Sequence, residues 1–286
     1  MIDKSFRFGT VSSPTSTPPK PGGSQGGVLQ IAALGLSALE LAWVNHVSVT
    51  EATCEVIRQT ALENDVALSV HASYFINANA VAEEWPKHRK RLMDAAHYGH
   101  LAGATDIIFH PGSYFTKLPA EVLPTVIDRL QNVVDELRSS GNPVTLRPET
   151  MGKSAMIGSL ADVVKISQSI PGVVPCLDFA HLHARPGDGS VNTYPEWLNI
   201  IDEYAAALGQ DALSHLHIHL SGIEYSAKGE RKHLKMKESD LNINALFQAL
   251  HDRHCSGRIL CESPILEEDA LYMKKLWEDG NPVINQ

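Results

Sequence analysis

Side chains of the kinds that hold metal ions close a series of short apolar runs in this chain. The stretch Pro175-Cys176-Leu177-Asp178-Phe179-Ala180-His181-Leu182-His183 offers a carboxylate at the end of one run and an imidazole three residues later. Strand side chains alternate faces, so Asp178 and His181 can both point inward only if the chain leaves the strand near Ala180. An Asp beside a His is common in solvated loops, and the pair alone carries little. The other runs end in the same way: in His71, in His110, in Glu149, in His219 and in Glu262. A lone His at such a place is most often structural, whereas six successive runs closed by His, Asp or Glu form a pattern. These are borderline-to-hard ligands suited to zinc or manganese. Seven of them exceed what one ion takes from protein. They imply two or three ions sharing a bridging carboxylate, for which Glu149 is the natural candidate. Ions a few ångströms apart suit phosphodiester hydrolysis, one activating water and another stabilising charge on the leaving oxygen.

The runs that must position these residues alternate with helical patterns. Strands are expected at Phe6 to Thr10, Ala38 to Trp43, Ala67 to His71, Thr105 to His110, Pro143 to Glu149, Val173 to Asp178, Leu216 to Leu220 and Arg258 to Glu262. Helices are expected from Gly27 to Leu36, Thr50 to Asn64, Pro86 to Ala102, Pro119 to Ser139, Leu160 to Ile170, Pro195 to Leu208, Ala245 to His254 and Glu267 to Glu278. Eight such units, without a break in composition, predict an α/β fold that closes as a single (β/α)8 TIM barrel. A doubly wound sheet with an added subdomain is the alternative. A barrel of this kind forms its site at the C-terminal ends of its strands, where the six residues fall. The chain reads as one domain over residues 1–286, with a flexible Pro/Gly/Ser-rich loop at about 12–27.

Parity assigns faces. Ser69 and His71 share one, as do Ile108 and His110, and Arg147 and Glu149. His215, His217 and His219 also share one, but only His219 lies at the far end. The other two read as hydrogen-bonding residues of the barrel interior. His183 reads as loop, and His46, His88, His97, His100, His251 and His254 as surface.

A net charge of −9 counts mildly against nucleic acid as a partner without excluding it, since bound cations and a local basic patch act at the site itself. The cysteines Cys54, Cys176, Cys255 and Cys261 have no Cys-x-x-Cys spacing, and Cys176 and Cys261 lie in apolar runs. A reduced cytoplasmic protein without disulfides is expected. Residues Met1 to Thr10 contain no long apolar stretch, and no window is apolar enough for a membrane span.

With His71-Ala72-Ser73-Tyr74-Phe75-Ile76-Asn77, His110-Pro111-Gly112-Ser113, Glu149-Thr150, Leu177-Asp178-Phe179-Ala180-His181, His217-Ile218-His219-Leu220 and Glu262-Ser263 in order, the chain resembles the endonuclease IV family of abasic-site DNA repair nucleases. The match runs from the third strand onward and is looser over the first 60 residues, as in a divergent branch of that family. The resemblance implies a (β/α)8 barrel whose zinc ions cut DNA 5′ to an abasic site by metal-activated water. It implies His71, His110 and Glu149 as ligands of one ion. Glu149, Asp178, His219 and Glu262 would hold a second, and His181 and His233 a third. It also gives Tyr74 and Phe75 as a wedge against DNA, although two aromatics packing over the barrel mouth would look the same.

The departures are specific. Where the family completes its third site with Asp-x-His, the chain has Glu230-Arg231-Lys232-His233, with Arg231 at the aspartate position. Glu230 could substitute if the loop shifts by one residue. Ser221-Gly222 replaces the family's Asn-Asp, and the loop after the second strand, Trp43-Val44-Asn45-His46, carries no Arg. Arg231, Lys232, Lys235 and Lys237 could contact phosphate.

Three readings follow. The first is a monomeric abasic-site endonuclease with two or three Zn2+ ions, or Mn2+, and lesion-bearing DNA as partner. The second is a sugar isomerase or epimerase, which would use Glu149, Asp178, His219 and Glu262 for one ion and has no need of His71, His110, His181 and His233. The third is a barrel that binds metal or damaged DNA without cutting it.

Overall fold

The apolar runs form strands and the periodic stretches between them form helices. The computed structural model describes residues 6–280; residues 1–5 and 281–286, which the one-domain reading and the N-terminal apolarity argument include, lie outside the described residues. In chain order the strands are β1 (Phe6–Val11), β2 (Ala38–Ala42), β3 (Ala67–His71), β4 (Asp106–Phe109), β5 (Thr145–Pro148), β6 (Cys176–Asp178), β7 (Leu216–Leu220), the hairpin β8 (Gly222–Ser226) and β9 (Gly229–Leu234), and β10 (Gly257–Cys261). Leaving out the hairpin, they make one eight-stranded parallel sheet in the order β5-β4-β3-β2-β1-β10-β7-β6. The two ends of that order meet through parallel bridges, Leu146 with Val173 and Glu149 with Cys176. The barrel closes there, as the alternation of elements predicted.

The helices are α1 (Gly23–Ala33), α2 (Glu51–Glu63), α3 (Trp85–Leu101), α4 (Pro119–Ser139), α5 (Leu160–Ser169), α6 (Phe179–Ala184), α7 (Tyr194–Leu208), α8 (Ile243–Asp252) and α9 (Glu267–Glu278). The apolar stripe of α4, Val122, Val126, Leu130, Val133 and Leu137, is buried against the barrel. Thr50 caps α2, its hydroxyl accepting from the Thr53 amide at 3.1 Å. Ser159 and Asp162 cap α5 reciprocally, at 3.2 and 2.9 Å. Among the described residues no helix is long and apolar enough to cross a membrane. All four cysteines are buried and free.

The structure departs from the sequence reading around α1. That helix begins at Gly23 rather than Gly27, through glycines that propensity assigns to a loop. The first turn closes through the Gly26 amide to Gly22 O at 2.8 Å, and close packing requires the glycine at 27, where a Cβ would stand 2.3 Å from Ser13 Oγ. The preceding loop is tied down. Glu267 accepts from the Thr15 amide at 2.9 Å, the Thr15 hydroxyl at 2.7 Å and the Ser16 amide at 2.8 Å. Burial opposes the charge on Glu267, but these bonds outweigh it and bring its pKa down to about 2. Two elements were not anticipated, the short helix α6 and the β8–β9 hairpin. Both lie directly over the mouth.

Candidate metal centre

Glu149, at the end of β5 and fully buried, sits where imidazoles from several elements converge. Its carboxylate oxygens lie 3.3 Å from His71 Nε2, 3.2 Å from His110 Nε2, 3.3 Å from His181 Nδ1 and 3.4 Å from His219 Nδ1. His219 Nδ1 is also 3.5 Å from Glu262 Oε1. Asp178 ends β6 and caps α6, its Oδ1 accepting from the His181 amide at 2.7 Å. The chain therefore leaves the strand immediately after Asp178 and winds into a helical turn. That turn brings His181 back over the same mouth, with its Nδ1 3.3 Å from Asp178 Oδ2.

Among the described residues five groups have donor atoms within 4.8 Å of one another. Two of them, Glu40 with His71 and His219 and Cys176 with His217 and His219, reach into the barrel interior. Three line the mouth: His71, His110 and Glu149; Glu149, Asp178, His219 and Glu262; and Asp178, His181 and His233. Glu149 and Asp178 are each shared by two of the three mouth groups. The 3.2–3.4 Å separations of Glu149 from His71, His110 and His219, and the 3.5 Å between His219 and Glu262, match the tetrahedral edge of about 3.3 Å that follows from zinc–ligand bonds of roughly 2.0–2.1 Å. They are longer than charge-assisted hydrogen bonds, which run at about 2.7–2.9 Å.

Charge in the site is crowded. Asp178 Oδ2 is buried and makes no hydrogen bond. Burial, and then Glu262 and Glu149 nearby, push the Asp178 carboxyl up to about 6 against the pull of His181. Burial opposes the charge on Glu149, but the neighbouring imidazoles of His110, His181 and His219 outweigh it and hold the carboxyl well below the usual carboxylate range. His181 rises well above its ordinary value despite burial, chiefly through Asp178 and Glu149. A divalent cation is what such an unpaired carboxylate oxygen, next to two further carboxylates, accommodates. The residues fit the ions that the donor set implies.

The hairpin resolves the Glu230-Arg231-Lys232-His233 departure. Ile223 pairs with His233, Glu224 with Lys232 and Tyr225 with Glu230, which leaves Arg231 as the extra residue of a β-bulge. In a regular strand Glu230 and His233 would face opposite sides; the bulge puts both over the mouth. His181 Nε2 is 3.3 Å from His233 Nε2 and 3.5 Å from Glu230 Oε2. Arg231 points outward and pairs with Glu224 at 3.2 Å, so it lines neither the third group nor the cavity. Glycines let the hairpin come down this far. Glu230 donates its amide to Gly152 O at 2.9 Å, and a Cβ on Gly229, at φ 92°, would stand 2.1 Å from that same oxygen. Asp240 clasps the arrangement, bonding His183 Nε2 at 3.0 Å and Tyr225 Oη at 2.7 Å.

The mouth opens as a cavity of about 250 Å³ lined by Tyr74, Met151, Lys153 and Met156 besides the donors. Tyr74 stacks on His110 with ring centroids 5.1 Å apart, and Tyr74 and Phe75 are 51% and 58% exposed.

Several placements differ from expectation. His183 is a buried residue of α6 and not loop. His215 is exposed, lies before β7 and takes no part in the barrel interior. His217 does lie in the interior, bonding Glu40 Oε2 at 2.9 Å, and burial lowers its pKa to about 4. Glu40 and Lys153 were overlooked. A carboxylate inside the apolar run Ala38-Leu39-Glu40-Leu41-Ala42, on the same face as Ser69, was the available signal for Glu40.

These features define a (β/α)8 barrel in which acidic and imidazole groups able to bind divalent metal converge at the C-terminal mouth. The chain belongs to the xylose isomerase-like TIM barrel family, that of AP endonuclease 2, whose model matches residues 28–277. Among its relatives, the uncharacterized protein MJ0133 of Methanocaldococcus jannaschii is 34% identical over 247 residues, 86% of this chain and 89% of that one. A probable endonuclease 4 of Oceanobacillus iheyensis is 26% identical over 215 residues, 71% of this chain and 65% of that protein. Two solved structures share the fold. Endonuclease IV from Thermus thermophilus superposes with a TM-score of 0.73 at 20% identity, covering 96% of this chain and 98% of that one. A D-tagatose 3-epimerase-like protein superposes at 0.71 and 17%, covering 96% of both chains.

Proposed function

We propose that the protein is a metal-dependent endonuclease that hydrolyses DNA 5′ to abasic sites. One observation carries this reading. The mouth holds three overlapping donor groups, more than one ion can use. A sugar isomerase or epimerase needs only the group of Glu149, Asp178, His219 and Glu262. His71 with His110, and His181 with His233 and Glu230, are then surplus. Homology to probable endonuclease 4 proteins points the same way.

On this reading His71 and His110 hold one ion with Glu149; Asp178, His219 and Glu262 hold a second with Glu149; His181, His233 and Glu230 hold a third. Zinc is the expected metal and manganese the substitute. Such ions supply a nucleophile from water at neutral pH and neutralise the leaving 3′ oxygen. The chain's own contribution is placement. Glu149, held rigid by burial, would be shared between two of these ions. Lys153 stands in the cavity where a phosphate would lie. Tyr74 and Phe75 form an exposed aromatic rim on which an unstacked base can rest. Arg231, bound to Glu224, is left with a peripheral phosphate contact at most. The free cysteines accord with a reducing cytoplasm, and nothing in the proposed chemistry needs a second copy of the chain.

The test sets two substrates side by side. Purified protein is given a duplex with one abasic-site analogue, and separately a set of ketoses, each with and without chelator. Cleavage leaving a 3′-hydroxyl on the 5′ side of the lesion, lost on chelation and regained with zinc or manganese, is expected. Epimerised ketose with one ion per chain and intact DNA would establish the sugar reading instead. Tight lesion binding without cutting would establish the non-catalytic one.

A further inference from the structure

Four imidazoles that face the mouth through one nitrogen are held from behind through the other. Three of them use backbone carbonyls. His71 Nδ1 donates to Ala72 O at 2.9 Å, His181 Nδ1 to Thr150 O at 2.9 Å, and His233 Nδ1 to Glu262 O at 3.1 Å. His219 differs. Its Nδ1 faces Glu149 and Glu262, and its Nε2 lies 3.0 Å from a carboxylate oxygen, Glu40 Oε1.

Glu40 is fully buried in the middle of β2, below the ring of strand ends. Its other oxygen, Oε2, takes the Ser69 hydroxyl at 2.7 Å and His217 Nε2 at 2.9 Å. The 2.7 and 2.9 Å separations are those of hydrogen bonds, and the 3.0 Å approach to His219 Nε2 is a direct carboxylate–imidazole contact outside hydrogen-bond geometry; all three are shorter than the 3.2–3.5 Å spacing at the mouth. Glu40 is therefore braced by two donors on one oxygen and turns the other against His219, with donor atoms of Glu40, His71 and His219 within 4.8 Å of one another. Ser69 and His217 fix the carboxylate, and the carboxylate fixes His219.

We propose that Glu40 is a positioning residue of the metal centre: its carboxylate, set directly against His219 Nε2, leaves Nδ1 to the group of Glu149, Asp178 and Glu262 and strengthens that imidazole as a donor. The inference rests on the reading of the mouth as a metal centre. A neutral carbonyl behind a ligand imidazole sets its tautomer and orientation. An anionic acceptor also raises its basicity, so the ion it serves is bound more tightly. His219 is the imidazole of the group with the most carboxylates, and Glu40 places a further negative charge directly behind it. The ion of that group should be the last of the set to leave.

The experiment compares wild type with E40Q and S69A in zinc and manganese binding, by competition with a chromophoric chelator and by elemental analysis, and in the visible absorption of the cobalt-substituted proteins. Glutamine keeps the shape but loses the charge, and its amide nitrogen meets a donor. E40Q is expected to bind its tightest ion about 10–100-fold more weakly and to shift the cobalt absorption. The ions expected with His71 and His110, and with His181 and His233, keep their wild-type affinity. S69A removes one brace, leaves the charge in place and should weaken the same ion less; it carries the test should E40Q fail to fold. If both variants bind every ion as the wild type does, with an unchanged cobalt spectrum, the role assigned to Glu40 is wrong while the metal centre stands. A wild type that takes up no ion overturns the metal centre and, with it, this inference.

Discussion

Glu149 is the residue on which the donor groups overlap, and four imidazole nitrogens lie within 3.4 Å of its oxygens. Glu149→Gln keeps the volume but exchanges one anionic oxygen for an amide that cannot ligate. The expected result is at most one tightly held ion per chain and a fall in lesion cleavage of at least about 100-fold. Elemental analysis beside a nicking assay measures both, and unchanged stoichiometry would remove Glu149 from the bridging position. Much of this neighbourhood was legible in the sequence, because a strand's last inward residue is marked by its position and by parity. His71, His110, Glu149, Asp178, His219 and Glu262 all fall at such positions. Glu40 escaped the same logic because it lies mid-strand, where a single carboxylate among leucines has no marked position. His215 was misplaced for the opposite reason: its alternation with His217 and His219 continues past the true start of β7.

At the scale of elements, the hairpin decides whether His181 has partners. Its strands carry mostly polar residues without alternation, so no apolar pattern announced them; the turn before Gly229 was the readable sign. The bulge at Arg231 makes Glu-x-x-His equivalent in facing to a regular Glu-x-His. Deleting Arg231 should therefore leave Glu230 and His233 on the same side, with the full complement of ions retained. Deleting a residue from β8 instead should turn one of them away and lose an ion. Ion counting on the two deletions distinguishes these outcomes. A second element-scale expectation concerns the loop before α1. Glu267 has a folded pKa near 2 against an ordinary 4.5, so its stabilising contribution is present above about pH 4.5 and is lost as the pH falls towards 2. Limited digestion with an acid-active protease should cut within residues 12–22 increasingly over that interval. Glu267→Gln should show the cuts already at pH 6.

Across the molecule, the two ends of the barrel are stabilised differently. The floor holds a buried ion cluster in which Asp106 receives both Arg147 and Arg258, the latter at 3.1 Å, beneath an opening of about 740 Å³. The mouth is rich in carboxylates and imidazoles. Around the wall, the weakest join is where β5 meets β6. Isolated bridges rather than a continuous ladder close it: the Leu146 amide to Gly172 O at 3.2 Å, the Val174 amide to Leu146 O at 3.1 Å, the Thr150 amide to Cys176 O at 3.0 Å and the Asp178 amide to the Thr150 hydroxyl at 2.8 Å. Glu149 stands on one side of that seam and Asp178 on the other, so any ion they share would staple the barrel shut. Amide hydrogens of Val174 and Thr150 should exchange with solvent faster than those of the neighbouring ladders when chelator is present, and markedly more slowly once zinc is restored. The site then acts as the fastener of its own scaffold, and losing metal would loosen the wall as well as silence the chemistry.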